Sequence, residues 1–262
     1  MKLSNLAFLI LAAGGALTAL AASAEQVAPV GLRARSPEFF QTIHDMINSI
    51  AEEDGFSIEK RGTTTLTSSK DGVNARGFYY SVYSPNVATV KYTSDDNSGA
   101  RGLDWTCKAE FLAGKGYRST TPRLIIMYHN SLTYSGSFKA TDDWTLAAYG
   151  WTTNPVTEWY IVDAHGSGTP GNDKPVGTVT SDSGTYDVYD LYYSKVPEIY
   201  GATSFYQYWS VRRAQRTTGG MINVAKHFSG WKSLGLKPGA PVFQMLTLEG
   251  FSGSGSLSFK TS

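Results

Sequence analysis

Two glutamates stand inside stretches that are otherwise apolar, aromatic or hydroxylated: Glu158 in Asn154-Pro155-Val156-Thr157-Glu158-Trp159-Tyr160 and Glu249 in Gln244-Met245-Leu246-Thr247-Leu248-Glu249-Gly250. A carboxylate in such a setting costs desolvation unless it is partnered or used. Two carboxyl groups flanking one bond suit hydrolysis of a glycosidic link, one protonating the leaving oxygen and the other attacking the anomeric carbon or activating water. Spacing alone also allows either glutamate to be an exposed strand residue paired with Lys or Arg. Other reactive groups lead less far. His129, His165 and His227 lack metal-ligand spacing, no serine occupies a nucleophile elbow, and the glycines of 250–255 lack the lysine of a phosphate loop. Cys107 is the single cysteine, so it forms no internal disulfide and reads as a buried small hydrophobe. No metal or cofactor is expected.

The elements that must carry these glutamates read as strands. From Phe78 onward, short runs rich in Tyr, Val, Thr and Trp are separated by Gly, Asn, Asp and Ser, as in antiparallel all-β domains. Examples are Gly77 to Ser84, Thr89 to Thr93, Tyr134 to Lys139, Glu158 to Asp163, Gly184 to Tyr193, Phe205 to Arg213, Val242 to Leu248 and Ser256 to Lys260. In 185–190 one face takes Tyr186, Val188 and Asp190 and the other Thr185, Asp187 and Tyr189. A sheet whose second face is rich in tyrosine suits stacking on a flat polar ligand such as a sugar. One helix is expected near Met221 to Leu234, where Ile222, Ala225, Phe228 and Trp231 keep helical spacing and Gly235 follows as a stop.

The first 61 residues differ from the rest. None of the 16 Tyr and none of the 6 Trp precedes Gly62. Residues 1–24 combine Lys2, an apolar run from Leu6 to Leu20 and Ala22-Ser23-Ala24, which reads as a secretory signal cut before Glu25. The competing reading, a membrane span, is opposed by the short run, Gly14, Gly15 and the lack of a basic flank. Residues 25–61 hold Ser36-Pro37-Glu38 and then Phe39, Phe40, Ile43, Met46, Ile47 and Ile50 at helical spacing, ending in Glu59-Lys60-Arg61. A helical propeptide removed at the dibasic pair is expected, leaving a domain of 62–262; a helix that stays docked is the alternative. The formal charge of +1 leaves no basic field for nucleic acid.

Several stretches, in order and at family spacing, resemble the glycoside hydrolase family 11 endo-β-1,4-xylanases. They include Tyr149-Gly150-Trp151-Thr152, Glu158-Trp159-Tyr160-Ile161-Val162-Asp163, Gly177 to Asp187, Gln207-Tyr208-Trp209-Ser210-Val211-Arg212, Trp231-Lys232-Ser233-Leu234-Gly235 and Leu248-Glu249-Gly250-Phe251. The resemblance covers the chain from about Gly77 to its C-terminus. It implies a β-jelly-roll sandwich of two curved antiparallel sheets with a single helix behind and a cleft for xylan in front. It also implies that Glu158 is the nucleophile and Glu249 the acid/base of a retaining mechanism. Glu249 must then hold a proton while Glu158 is ionised, which burial and the neighbouring negative charge favour. Tyr149, Tyr160, Trp151 and Gln207 match residues that line the cleft, and Pro197 falls in the thumb loop. The expected partner is xylan alone, with no nucleic acid, no membrane after processing, and a monomeric secreted enzyme.

Four positions depart from the pattern. Tyr193 replaces a cleft arginine, Tyr83 a stacking tryptophan, Phe243 a tyrosine, and Glu110 the Asn or Asp that usually stands beside the acid/base. These replacements motivate an alternative reading, a weak or inactive xylan-binding or host-recognised protein on the same scaffold. By the resemblance an acid at 110 shares or contests the proton of Glu249; a glutamate, one methylene longer, either couples to Glu249 as an acidic pair or swings away, and an acidic optimum is the expectation. A Glu110→Gln variant should displace the pH–rate profile of xylan hydrolysis; a profile matching the parent's rules the coupling out.

Overall fold

The computed structural model describes residue 41 and residues 62–74, 76–84, 88–118, 131–168, 174–199 and 202–262. The expected signal, the dibasic cut and, Gln41 apart, the upstream helix lie outside the described residues, as does His129.

Among the described residues fifteen strands follow in order: β1 (Thr63–Leu66), β2 (Lys70–Val73), β3 (Tyr79–Tyr83), β4 (Ala88–Asp95), β5 (Ala100–Cys107), β6 (Phe111–Arg118), β7 (Leu132–Ala140), β8 (Trp144–Thr153), β9 (Thr157–His165), β10 (Gly177–Ser181), β11 (Gly184–Ile199), β12 (Ala202–Arg212), β13 (Gly219–Ile222), β14 (Ala240–Gly250) and β15 (Gly253–Thr261). They form a six-stranded sheet in the order β1-β4-β5-β15-β7-β13 and a nine-stranded sheet in the order β10-β11-β12-β9-β8-β14-β6-β3-β2. Neighbours are antiparallel except β9 and β12, which run parallel with Glu158 beside Gln207. Among the described residues the two sheets and the helix that follows β13 reproduce the expected sandwich; β1 and β2 are short strands that the sequence pattern did not indicate.

Sidedness explains the long buried runs. In β9, Trp159 and Ile161 point into the core between the layers, whereas Glu158, Tyr160 and Val162 point to the opposite face. The same alternation places Leu246 and Leu248 of β14 inward and Phe243, Met245 and Glu249 outward. The nine-stranded sheet is therefore apolar on both faces. Tyr149, Trp151 and Tyr160, all on the outward face, have no exposed surface, and an open flat sheet cannot bury its outer residues. The outer face is therefore covered too, where the family resemblance expects the cleft.

Helix α1 (Val224–Ser233) takes up the second layer where the six-stranded sheet stops at β13. Asn223 caps it by accepting from the Lys226 N–H, and Gly235 at φ +87° ends it. Trp231 packs against Trp159 and Tyr208 and donates its indole N–H to Ser210 Oγ at 2.9 Å. The helix begins later than its periodicity indicates. Ile222 belongs to β13, because Gly219 to Ile222 pair with Ser135 to Leu132 of β7 before the chain turns.

His227, on α1, is fully buried edge-on against Tyr186, with Asp182 Oδ2 at 4.0 Å from its Nε2. Burial pushes its pKa down to about 3, with Lys226 and Arg212 adding repulsion. It is a structural, neutral histidine. Its folded pKa lies below the unfolded value, so the unfolded chain binds the extra proton between about pH 3 and 6.5. Stability should fall on acidification through that window by up to about 1.4 kcal/mol per pH unit from this group. Thermal melts from pH 7 to 4 should show a shallower acid loss in His227→Leu than in the parent; parallel curves contradict the assignment.

Candidate active site

Glu158 enters the cleft from β9 and is fully buried. Its Oε1 accepts from the hydroxyls of Tyr149 at 3.1 Å and Tyr160 at 3.0 Å. Its Oε2 accepts from Gln207 Nε2 at 2.5 Å across the parallel pair β9–β12. Donors directed at a carboxylate stabilise its ionised form. Tyr149 comes from β8 and itself accepts the Trp151 indole N–H at 2.7 Å. Aromatic packing fixes these groups: the Tyr149 ring lies 4.7 Å from that of Tyr160 and 5.8 Å from that of Phe243. Phe243 also meets Tyr79 at 5.7 Å.

Glu249 stands on the same face of the sheet, on β14, opposite Thr145 of β8 and Leu112 of β6. It is 1% exposed. Leu112 in turn pairs with Tyr83 of β3, so Tyr83, Leu112 and Glu249 form one row across three strands. Tyr83 is buried on the cleft face rather than standing as an open distal platform. Glu110 precedes β6 by one residue and lies two positions from Leu112, on the diagonal from Glu249, a spacing that long side chains span. Buried carboxyls at 110 and 249 thus occupy neighbouring places.

Tyr193 is half-buried on β11, stacks on Phe205 with centroids 5.4 Å apart, and points its hydroxyl at Gln207 Oε1 at 3.4 Å. It touches the amide beside Glu158, where the arginine of the family pattern is missing. Pro197 falls in the last stretch of β11, beyond a register break between Ser194 and Ile199 that begins with Lys195 at φ +58°. The Pro197 side chain and the hairpin tip lie outside the described residues.

The structure therefore gathers Glu158, Tyr149, Tyr160, Trp151, Gln207, Tyr193 and Phe243 around one end of the cleft. It gathers Glu249, Glu110 and Tyr83 around the other. Sequence reasoning missed Trp209, Phe205, Tyr79 and Tyr189, which line the same face. The signal was present in β12, where 205, 207, 209 and 211 alternate with 206, 208 and 210. Cys107 is buried, and burial pushes its thiol up to about 11, leaving an inert sulfur. Among the described residues no group of His, Cys, Asp and Glu is arranged to hold a metal ion, and no helix is long and apolar enough to cross a membrane.

A β-sandwich that presents buried carboxyl groups in an aromatic cleft defines a glycoside hydrolase. The chain belongs to glycosyl hydrolases family 11, whose model matches residues 75–260. It is 36% identical over 209 residues to "Endo-1,4-beta-xylanase 2" of Rhizopus oryzae, covering 78% of this chain and 89% of that protein. It is 36% identical over 200 residues to "Ethylene-inducing xylanase" of Penicillium digitatum (76% and 87%). Over another 200 residues it is 38% identical to "Endo-1,4-beta-xylanase 11A" of Botryotinia fuckeliana (75% and 84%).

Replacing Tyr149 by Phe removes a donor from Glu158 and the acceptor of the buried Trp151 N–H. A loss of about 1–3 kcal/mol in unfolding free energy is expected, since each buried partner left unmatched costs on that order. Denaturant unfolding of Tyr149→Phe measures it, and an unchanged midpoint contradicts the network.

Proposed function

We propose that this chain is a secreted endo-1,4-β-xylanase that cleaves internal bonds of xylan with retention of configuration, acting as a monomer. The observation that carries the reading is the buried Glu158 carboxylate, held by Tyr149, Tyr160 and Gln207, on the same cleft face as Glu249. Family membership and the xylanase names of the relatives support the substrate.

In this reading Glu158 attacks the anomeric carbon while Glu249 protonates the departing glycosidic oxygen. The sugar is then covalently held on Glu158, and Glu249, now the anion, takes a proton from a water that attacks the anomeric carbon and displaces the Glu158 carboxylate. Retention demands carboxyl groups about 5–5.5 Å apart. Strand pairing makes this a demand on curvature. Glu158 is level with Trp151 and Phe243, and Glu249 lies six positions further along β14, which on a flat sheet is roughly 20 Å. The register shifts at Asp163, opposite Leu146 and Ala147, and at Val242, between Pro241 and Phe243, put bulges in β9 and β14 within or beside that interval and supply places for the sheet to bend.

Residues 1–24 are proposed as the secretion signal and 25–61 as a propeptide released after Arg61. Mass spectrometry of the secreted protein should find an N-terminus at Gly62; one upstream of Arg61 removes the propeptide reading. Reducing-sugar release from xylan, measured from about pH 3 to 8 with Glu158→Gln and Glu249→Gln beside the parent, tests the catalytic pair. Loss of roughly 10³-fold or more in each variant is expected when nucleophile or acid/base is removed. Substantial activity left in either variant overturns its role.

A further inference from the structure

The Gln207 side chain beside Glu158 is an amide, and an amide has two orientations of similar shape but opposite polarity. In one, Nε2 donates to the carboxylate. In the other, the carbonyl oxygen faces it and repels it. What selects between them lies one step further from the substrate.

Trp209, two residues along β12 on the same face, donates its indole N–H to Gln207 Oε1 at 2.6 Å. An indole nitrogen donates and never accepts. With Gln207 reversed, an NH₂ group would face the indole N–H while the carbonyl oxygen faced Glu158 Oε2, replacing two good contacts by two repulsive ones. The Tyr193 hydroxyl at 3.4 Å from Gln207 Oε1 can either donate or accept, so it does not discriminate. The indole ring also lies flat on Tyr160, with centroids 3.9 Å apart and planes 7° apart, and Tyr160 is the donor to Glu158 Oε1. One 4%-exposed side chain thus holds donors to both oxygens of the carboxylate.

We propose that Trp209 is a positioning residue: its N–H locks the Gln207 amide toward Glu158, and its ring fixes the plane of Tyr160. The inference rests on Glu158 as the nucleophile, deepening that reading by naming what keeps the carboxylate ionised and aimed.

The test separates the N–H from the ring. Trp209→Phe keeps a ring against Tyr160 and deletes the donor, and Gln207→Ala deletes the amide; the two are combined in a double-variant cycle on the secreted protein. Ionisation of Glu158 is followed by carboxyl-carbon NMR, and kcat and KM are measured on xylan. Trp209→Phe should raise the pH at which Glu158 ionises by about one unit and lower kcat roughly tenfold, with KM within about twofold, as loss of one charge-directed donor predicts. In the Gln207→Ala background the same change should shift the ionisation by less than about a third of a unit, because the amide it acts through is gone. Equal shifts in both backgrounds, or no shift in either, overturn the proposal.

A second measurement needs no variant that folds. The indole N–H resonance of Trp209 in the parent should move as Glu158 titrates, since the amide couples them; an invariant resonance overturns the coupling. Both NMR readings report on Glu158 whether or not xylan is cleaved, so failure of the activity and failure of the coupling are distinct outcomes.

Discussion

A carboxylate with no exposed surface, set in the middle of an aromatic sheet, is tolerated only if the protein replaces the water it has lost. Glu158 imposes that condition, and much of the nine-stranded sheet answers to it. Tyr149 arrives from the hairpin partner β8, Tyr160 from the same strand two residues on, and Gln207 from β12. Each donor is then held by something else. Trp151 holds the Tyr149 hydroxyl, Trp209 the Gln207 carbonyl, and Phe243 flanks the Tyr149 ring. The parallel pairing of β9 with β12, the exception in the sheet, is what brings Gln207 level with Glu158.

The same strand shows the contrasting solution. Asp163, five residues on and facing the core, is also fully buried. It accepts from Arg216 at 2.6 Å and 2.9 Å and from the hydroxyls of Tyr134 and Tyr186 at 2.8 Å and 3.0 Å. A guanidinium cancels its charge, so Asp163 ties β9 to β7, β11 and the segment before β13. Glu158 accepts from two tyrosines and an amide, donors that solvate an anion. The cleft exists for a related reason: a sheet with apolar side chains on both faces must cover the second one, and curling over itself achieves this while leaving a groove for a polymer.

The fold was legible where the period was clear. Alternation in 184–193 and 205–213 located β11 and β12, and the Phe228 and Trp231 spacing with Gly235 located α1. Ile222 misled, because an apolar residue three before Ala225 fits a helix as well as it fits the end of β13, and only pairing with Leu132 decides. β1 and β2, four residues each, carry too short a pattern to stand out. At the site, both glutamates and the tyrosines Tyr149 and Tyr160 were legible from local context and family likeness. Trp209 was not, since nothing local distinguishes a tryptophan that holds the amide beside Glu158 from one that fills a core, as Trp159 does.

By itself the sequence determined the class of fold and the family and singled out the two glutamates, because each rests on periodicity, composition or a motif a few residues long. Tertiary structure decided which face each residue takes, that Tyr83 and Glu110 cluster with Glu249 while Tyr193 and Phe243 cluster with Glu158, and that the indole of Trp209 governs an amide two residues away. Apart from the Trp209–Gln207 pair, those relations join strands separated along the chain. They are set by register, and a shift of one residue would turn every one of these side chains to the opposite face.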